Sequence, residues 1–159
     1  MTDRIDKRIR HRIMAANRSL NTSPEKEVRQ ALFRHGLRFR LHAAELPGRP
    51  DIVLPKYRAV VFMHGCYWHG HDCSRRPQSK SNTAFWAAKI RRNQARDMKI
   101  FEALAAAGWR IMVVWECSVR RQNPPFFAGR KAEVLSRWVR GSRRFGVISE
   151  SGITCRSLI

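Results

Sequence analysis

The chain has 159 residues, 43% of them hydrophobic, and its 32 lysines and arginines against 12 acidic residues give a net charge of +20. This length suggests one domain, and the apolar content excludes a disordered chain. No apolar run approaches the ~18 residues of a membrane span. The charged N-terminus lacks the apolar centre of a secretory signal.

We therefore expect a soluble, intracellular protein. The electrostatic field of a protein with this net charge attracts polyanions, so the charge favours nucleic acid as the partner. A charge that serves solubility alone and a membrane surface are the alternatives. No basic amphipathic helix with a fully apolar opposite face stands out to support the membrane surface.

The first part of the chain predicts a basic arm, a helix and three strands. Residues 1–21 are basic and polar, as expected of an arm that contacts DNA and becomes ordered on it. A helix begins in the run TSPE (22–25) and ends at Gly36. The alternation in LRFRLH (37–42) predicts a half-buried strand, and DIVL and YRAVVFM predict a hairpin around Pro55-Lys56.

The second part predicts a long helix, a buried strand and a last helix. The long helix runs from about Ala84 to Ala107 and ends at Gly108. The apolar run WRIMVVW (109–115) is typical of a strand covered on both faces, and strand–helix–strand order predicts a parallel pair. Residues 129–141 predict the last helix, and the tail after it is unpatterned. We expect one α/β domain over residues 22–159, with 119–159 as a C-terminal helix and tail.

One face of the long helix mixes apolar and polar side chains at helical spacing: Trp86, Ile90, Asn93, Asp97, Phe101 and Leu104. A carboxylate on an inward face needs a partner, so we predict that this helix lines a functional site. The alternative is a buried polar pair that caps a neighbouring arginine.

The stretch VVFMHGCYWHGHDC (60–73) places metal-ligand residues directly after a predicted strand. Two thiols and an imidazole lie within it, and Cys117 follows the next predicted strand, which together predict a tetrahedral zinc site: Cys66, His71, Cys73 and Cys117. With four protein ligands such a zinc is structural. His64 or His69 could replace His71 as the ligand, and free buried thiols are the alternative interpretation.

Pro50-Asp51 lies at the head of the strand DIVL, where a turn presents a carboxylate to a metal ion such as Mg²⁺. Restriction-enzyme-like nucleases carry such a PD pair, with an acid and a lysine on the next strand. The predicted next strand here has neither residue. The alternative is a turn aspartate that caps backbone amides.

Five runs together carry a family resemblance: TSPEKEVRQALFRHGLRFRLH, LPGRPDIV, VVFMHGCYWHGHDC, KIRRNQARD and GWRIMVVWEC. Over roughly residues 5–118 they closely resemble the very-short-patch repair (Vsr) DNA mismatch endonucleases. The resemblance implies a restriction-endonuclease-like fold of the PD-(D/E)xK superfamily, a mixed sheet flanked by helices. It implies Mg²⁺-dependent nicking of double-stranded DNA on the 5′ side of the thymine in T·G mismatches left by deaminated 5-methylcytosine. Nothing is carried over beyond about residue 120.

The resemblance also implies roles for individual residues. For catalysis, Asp51 would be the main Mg²⁺ ligand, together with the backbone carbonyl of Met63. His69 would be the general base, and His64 would support the metal-bound water or the phosphate. Glu25 and Asp97 would surround these groups. The structural zinc ligands are Cys66, His71, Cys73 and Cys117. Tyr67 and Trp68 would insert beside the mismatch, with Met14 entering from the other side. Two positions depart from the family, which often has threonine in place of Met63 and phenylalanine in place of Tyr67.

The implied setting is the bacterial cytoplasm, at the nucleoid, for a monomer with no membrane partner and with mismatch-repair proteins as candidate further partners. His11, His35 and His42 are interpreted as surface or phosphate-contacting residues. Two other functions are weighed against the mismatch endonuclease. One is a restriction-type endonuclease of other specificity. The other is a non-catalytic, zinc-stabilised DNA-binding module, which has no need for Asp51, His69 and Asp97 together.

Overall fold

A computed structural model describes residues 21–74, 82–119 and 127–156. The predicted basic arm, with Met14, lies outside these residues. The helices are α1 Ser23–Arg34, α2 Thr83–Ala106, α3 Glu116–Val119 and α4 Arg130–Arg140, with a 3₁₀ turn at Pro55–Tyr57. The strands are β1 Arg40–Leu41, β2 Ile52–Leu54, β3 Ala59–His64, β4 Arg110–Trp115, β5 Phe145–Ser149 and β6 Gly152–Arg156.

The six strands form one mixed sheet in the order β1-β2-β3-β4-β5-β6. β1, β2 and β3 pair antiparallel, β3, β4 and β5 pair parallel, and β6 returns antiparallel to β5. The predicted hairpin around Pro55-Lys56 is confirmed, and so is the parallel pair β3–β4 across the long helix. The expected mixed sheet flanked by helices is therefore confirmed.

Both faces of the central strands are buried, which explains their continuous apolar sequences. On one face, α1 and α4 pack Leu32 and Leu135 against Val61 and its neighbours. On the other face, α2 packs Phe101 against Phe62. Successive side chains of a strand point to opposite faces, so β3 serves both cores. Within the described part of the chain, no helix is long and apolar enough to cross a membrane.

Two predictions of secondary structure were wrong. The predicted strand 37–42 shortens to Arg40–Leu41, because Leu37 instead closes helix α1: its amide donates to the Leu32 carbonyl, 3.0 Å away, after Gly36 at φ 75°. Leu41, predicted to face inward, is 42% exposed. These residues end a helix before they begin a strand, and alternation alone does not reveal that.

The prediction of an unpatterned tail after the last helix was also wrong. It contains the hairpin β5–β6, and β5 extends the parallel part of the sheet beside β4. Along β5, Gly146 and Ile148 are buried and alternate with half-buried Phe145 and Val147. Two glycines and a serine-rich turn weaken this pattern in the sequence.

Leu135→Ala should lower the free energy of unfolding by about 2–5 kcal/mol, because Leu135 is fully buried between α4 and the sheet and its truncation leaves a cavity. Urea denaturation measures the change. Met98→Ala on α2 is the control, since Met98 is 52% exposed and its loss should cost less than ~0.5 kcal/mol. Equal losses in the two variants would contradict the described packing of α4.

Candidate functional site

A short loop follows β3 and is held by hydrogen bonds to its own backbone and to helix α2. Within the loop, the His69 amide donates to the Gly65 carbonyl at 3.2 Å. From α2, the amide side chain of Asn93 donates to the Trp68 carbonyl at 2.8 Å and that of Gln94 donates to the His69 carbonyl at 3.1 Å. Asn93, from the predicted inward stripe, therefore fixes the loop backbone.

Three residues form what we call the His–Asp group: His64, His69 and Asp97. One ligand atom from each lies within 4.8 Å of the others. His69 Nδ1 is 2.5 Å from Asp97 Oδ2, and the His64 and His69 rings stack with centroids 3.8 Å apart. Asp97 thus has its partner, and that partner is an imidazole; the guanidinium of Arg96 reaches the other carboxylate oxygen at 3.3 Å.

His64 and Asp97 carry different charges near neutral pH. Burial would raise the pKa of Asp97, but the hydrogen bond and charge of His69 outweigh it and the pKa lies below its usual value. Burial, with the neighbouring His69, lowers the pKa of His64 to about 3. Near neutral pH, Asp97 is therefore ionised and His64 is neutral.

Asp51 directly precedes β2, and the antiparallel pairing of β2 with β3 places it beside the end of β3 that carries His64. Its Oδ2 accepts a hydrogen bond of 2.7 Å from the amide of Met63, the residue before His64. Burial raises the pKa of Asp51 to about 6, against the lowering effect of that amide, and the charge of Glu25 adds to the rise. The described contact uses the amide of Met63, so a role for its carbonyl as a metal ligand stays a prediction.

Glu25 is only 3% exposed and is bound at the start of helix α1. Its carboxylate accepts hydrogen bonds from the amide of Asn21 and the hydroxyl of Thr22, both at 2.9 Å, and from Arg29 Nη2 at 2.7 Å. The Thr22 hydroxyl in turn accepts from the Glu25 amide at 3.5 Å, which makes this a variant of the reciprocal capping pattern of a helix start. Glu25 therefore stabilises the helix and also places negative charge near Asp51.

Arg29 and His42 join this region, and sequence reasoning missed both. Arg29 Nη2 lies 3.0 Å from His42 Nε2, and His42 Nδ1 lies 4.0 Å from Asp51 Oδ1. The His42 side chain is half-buried, 12% exposed, so it is not an open surface histidine, and a phosphate contact stays a prediction. The spacing of Glu25 and Arg29 was a usable signal for their pairing. The contact with His42 depends on how the chain folds back.

A second set of side chains, the Cys–His group, consists of Cys66, His71, Cys73 and Cys117. One ligand atom from each lies within 4.8 Å of the others, and Cys117 Sγ is 3.5 Å from His71 Nδ1. Cys66 and Cys117 are each 4% exposed, and burial raises the pKa of both thiols. The His71 ring stacks on Trp115 at 4.3 Å. Three thiols and one imidazole in a buried cluster are a donor set that fits tetrahedral zinc.

Beside the loop lies an aromatic cluster of Tyr67, Trp68, Phe85 and Trp86. Adjacent rings have centroids 5.1–5.8 Å apart. Lys89 lies over two of the rings, 5.6 Å from Trp68 and 5.4 Å from Trp86. Phe85 is 54% exposed. Sequence reasoning placed Trp86 on the inward stripe of the long helix but did not join it, or Phe85, to the aromatic pair of the loop.

The chain is similar along most of its length to proteins named as DNA-acting enzymes. The family profile described as DNA mismatch endonuclease Vsr matches residues 2–75. The DNA mismatch endonuclease Vsr of Escherichia coli is 38% identical over 153 residues, which is 96% of this chain and 97% of that protein. The chain belongs to the Vsr endonuclease family.

Other relatives of this chain are named as nicking enzymes. The Type II nicking enzyme V.XorIIP of Xanthomonas oryzae is 51% identical over 119 residues, 75% of this chain and 88% of that protein. V.NmeAIP of Neisseria meningitidis is 43% identical over 122 residues, 77% and 87% of the two chains. The family is thus established over most of the chain.

In this Vsr-family chain, one loop connects the His–Asp group, the Cys–His group and the aromatic cluster. Asp51 reaches the same end of β3 through the Met63 amide. Strand β3, AVVFMH, contains no acid and no lysine, so the assignment to the PD-(D/E)xK superfamily stays a prediction.

The raised pKa of Asp51 predicts a pH dependence of stability. With a folded-state pKa of about 6 against 3.8, Asp51 contributes stability at low pH that is lost as the pH rises through about 6. Asp51→Asn should remove that loss and become more stable than the parent by up to about 3 kcal/mol at pH 7. Urea denaturation of both proteins in Mg²⁺-free buffer between pH 4 and 7.5 measures the difference, which should be smallest at the acid end. A constant difference across the range would contradict the burial of the carboxylate.

Proposed function

We propose that this protein is a DNA mismatch endonuclease that nicks double-stranded DNA on the 5′ side of the thymine in T·G mismatches and so starts very-short-patch repair. The observation that carries the proposal is the contact between His69 Nδ1 and Asp97 Oδ2, which are 2.5 Å apart. The His69 ring stacks on His64 at the end of β3, and the amide of Met63 in the same strand binds Asp51. A general base and a separate carboxylate at one strand end are what phosphodiester hydrolysis needs.

His69 is the proposed general base. Ionised Asp97 can only accept a hydrogen bond, so His69 donates through Nδ1 and its Nε2 keeps a free lone pair. That nitrogen can take a proton from an attacking water, and the carboxylate stabilises the imidazolium that forms. Bonds from Asn93 and Gln94 hold the loop backbone, so the base has little freedom to lose on binding substrate.

His64 plays a different part because it stays neutral near pH 7. With a pKa of about 3 it cannot act as an acid or base there. Its ring is buried between His69 and Phe101. We assign to it a hydrogen bond to the attacking water or to a phosphate oxygen.

Asp51, with the carbonyl of Met63, is the proposed holder of Mg²⁺. Glu25 and Asp51 are carboxylates close enough to influence each other, and such pairs favour a bound cation. A Mg²⁺ ion held there would offset charge on the scissile phosphate and acidify a bound water. Glu25 is occupied by Arg29 and the helix start, so its contribution is to the charge around Asp51 and to its support.

Mismatched DNA is the proposed substrate. The charge of +20 suits a polyanion, and the aromatic cluster offers flat rings beside the catalytic loop. Inserting Tyr67 and Trp68 into the duplex would cost a few kcal/mol of base unstacking, which is lowest at a mispair. Met14 is proposed to enter from the opposite side. The protein would act as a monomer at the nucleoid of a bacterial cytoplasm, with repair proteins as candidate partners.

The names of two relatives support this proposal at different levels. The relative from Escherichia coli is named a DNA mismatch endonuclease, and that from Xanthomonas oryzae a Type II nicking enzyme. A nicking endonuclease specific for a matched site is therefore the alternative. The arrangement of Asp51, His69 and Asp97 favours an enzyme over a non-catalytic DNA-binding module.

A nicking assay on duplexes that differ only in T·G or T·A should show Mg²⁺-dependent cleavage of the T·G duplex on its thymine strand. Asp51→Ala should abolish nicking, because the proposed metal ligand is lost, while binding to T·G duplex persists. Normal cutting by Asp51→Ala would contradict the metal assignment. Equal cutting of both wild-type substrates would favour the matched-site alternative.

Elemental analysis should find one zinc per chain that survives the chelation of Mg²⁺, since the Cys–His group fits a structural zinc. Cys117→Ser should lose zinc and melt at a lower temperature. Cys155→Ser is the matched control, because Cys155 lies on β6 outside the group. A wild-type protein that is fully folded without zinc would rule out this assignment.

Trp68→Ala should weaken binding to the T·G duplex about tenfold more than binding to the T·A duplex, because a stacked aromatic ring is worth ~1–3 kcal/mol. Competition binding with both duplexes measures this. Exposed Met98→Ala on α2, outside the aromatic cluster, is the control. An equal loss on both duplexes would count against insertion at the mismatch.

A further inference from the structure

Arg29 and His42 link helix α1 to Asp51, and the proposed mechanism gives neither residue a role. Arg29 is half-buried, with 11% of its side chain exposed. Its guanidinium binds three groups: Glu25 Oε2 at 2.7 Å, Asn21 Oδ1 at 2.6 Å and His42 Nε2 at 3.0 Å. A side chain held at three points has little freedom, so it fixes whatever it contacts.

The contact with Arg29 determines the tautomer of His42. A guanidinium has donors and no acceptor, so His42 Nε2 must accept and the ring proton must be on Nδ1. That Nδ1 is buried and has no hydrogen-bond partner among the described residues. It faces Asp51, whose Oδ1 lies 4.0 Å away.

The backbone of His42 is also held in an unusual conformation. Its φ is 51°, a value that costs free energy in a residue other than glycine. The His42 amide donates to the Asp51 carbonyl at 3.4 Å, and Arg49 Nε donates to the His42 carbonyl at 3.2 Å. Main-chain and side-chain contacts therefore both direct this ring toward Asp51.

We propose that His42, oriented by Arg29, is a positioning residue for Asp51: its Nδ1–H donates to Oδ1 of the carboxylate when the active complex assembles. The inference rests on the proposed function of Asp51. The Met63 amide already binds Oδ2 at 2.7 Å, so the carboxylate is then held at both oxygens. A carboxylate has about four lone-pair sites, which leaves one on each oxygen for a metal ion.

Two physical arguments support closure of the gap between His42 and Asp51. An unpaired buried N–H costs about 1–3 kcal/mol, and a shift of about 1 Å would pair it. Hydrogen bonds of catalytic groups are often long before substrate binds and shorten in the assembled complex. Groups that orient a metal ligand in this way typically change activity or metal affinity by about 10–100-fold when removed.

The test compares His42→Leu, which removes the donor, with His42→Gln, whose amide N–H can replace it. His42→Leu should lower kcat on the T·G duplex by about 10–100-fold, leave KM for DNA within about twofold, and weaken Mg²⁺ binding measured by calorimetry without DNA. His42→Gln should recover most of both losses. Arg29→Met should reproduce the loss, and the double variant Arg29→Met/His42→Leu should be little worse than either single variant.

Arg34→Met is the matched control for Arg29→Met. Arg34 lies on the same helix, is exposed, and donates only to the Gln30 carbonyl in the described contacts, so kcat and Mg²⁺ affinity should be unchanged. A merely structural role for His42 would lower the melting temperature without the separation of kcat from KM and without rescue by glutamine.

A measurement on the unaltered protein keeps the inference testable if a variant fails to fold. Nitrogen-15 NMR of labelled histidine should show His42 protonated at Nδ1, with that resonance moving when Mg²⁺ is added. Protonation of His42 at Nε2, or unchanged kcat and Mg²⁺ affinity in His42→Leu, would overturn the inference. If the wild-type protein still nicked the T·G duplex in that case, the proposed function would be unaffected. A wild-type protein that nicks no T·G duplex would instead contradict the proposed function itself.

Discussion

The arrangement of the site depends on the attachment of the loop after β3 to helix α2. The short contact between His69 and Asp97, 2.5 Å, is its centre, and two amide side chains of the same helix bond to the loop backbone on either side. A loop without these bonds would lose conformational entropy each time it bound a substrate. Because α2 packs firmly on the sheet through Phe101 and Leu104, the loop shares the rigidity of the core.

The same attachment explains why different chemistries occupy so few residues. The His–Asp group joins the loop to Asp97 of α2, the Cys–His group joins it to Cys117 of α3, directly after β4, and the aromatic cluster continues onto the start of α2. The His–Asp group and the aromatic cluster hold the loop against α2, and the Cys–His group holds it against α3. Placing one group therefore helps to place the other two, and a substitution in one should be felt by its neighbours.

Most of the architecture could be predicted from local patterns. The start of α1, the hairpin around Pro55 and the parallel pair of buried strands follow from capping residues, turn residues and apolar runs, and all are confirmed. The hairpin β5–β6 could not be predicted, because its strands are short and interrupted by glycine. For the site, the clustered cysteines and histidines were visible in the sequence, whereas Arg29 and His42 were not, because their contact spans 13 positions.

The sequence by itself determined the class of chemistry: a strongly basic chain, a loop of thiols and imidazoles, and a carboxylate at a strand head. These are properties of residue types and short spacings, which can be recognised in a sequence without knowledge of the fold. Only the tertiary structure decided which groups meet and how they are charged. Burial lowers the pKa of His64 and raises that of Asp51, and both shifts follow from surroundings that distant segments supply.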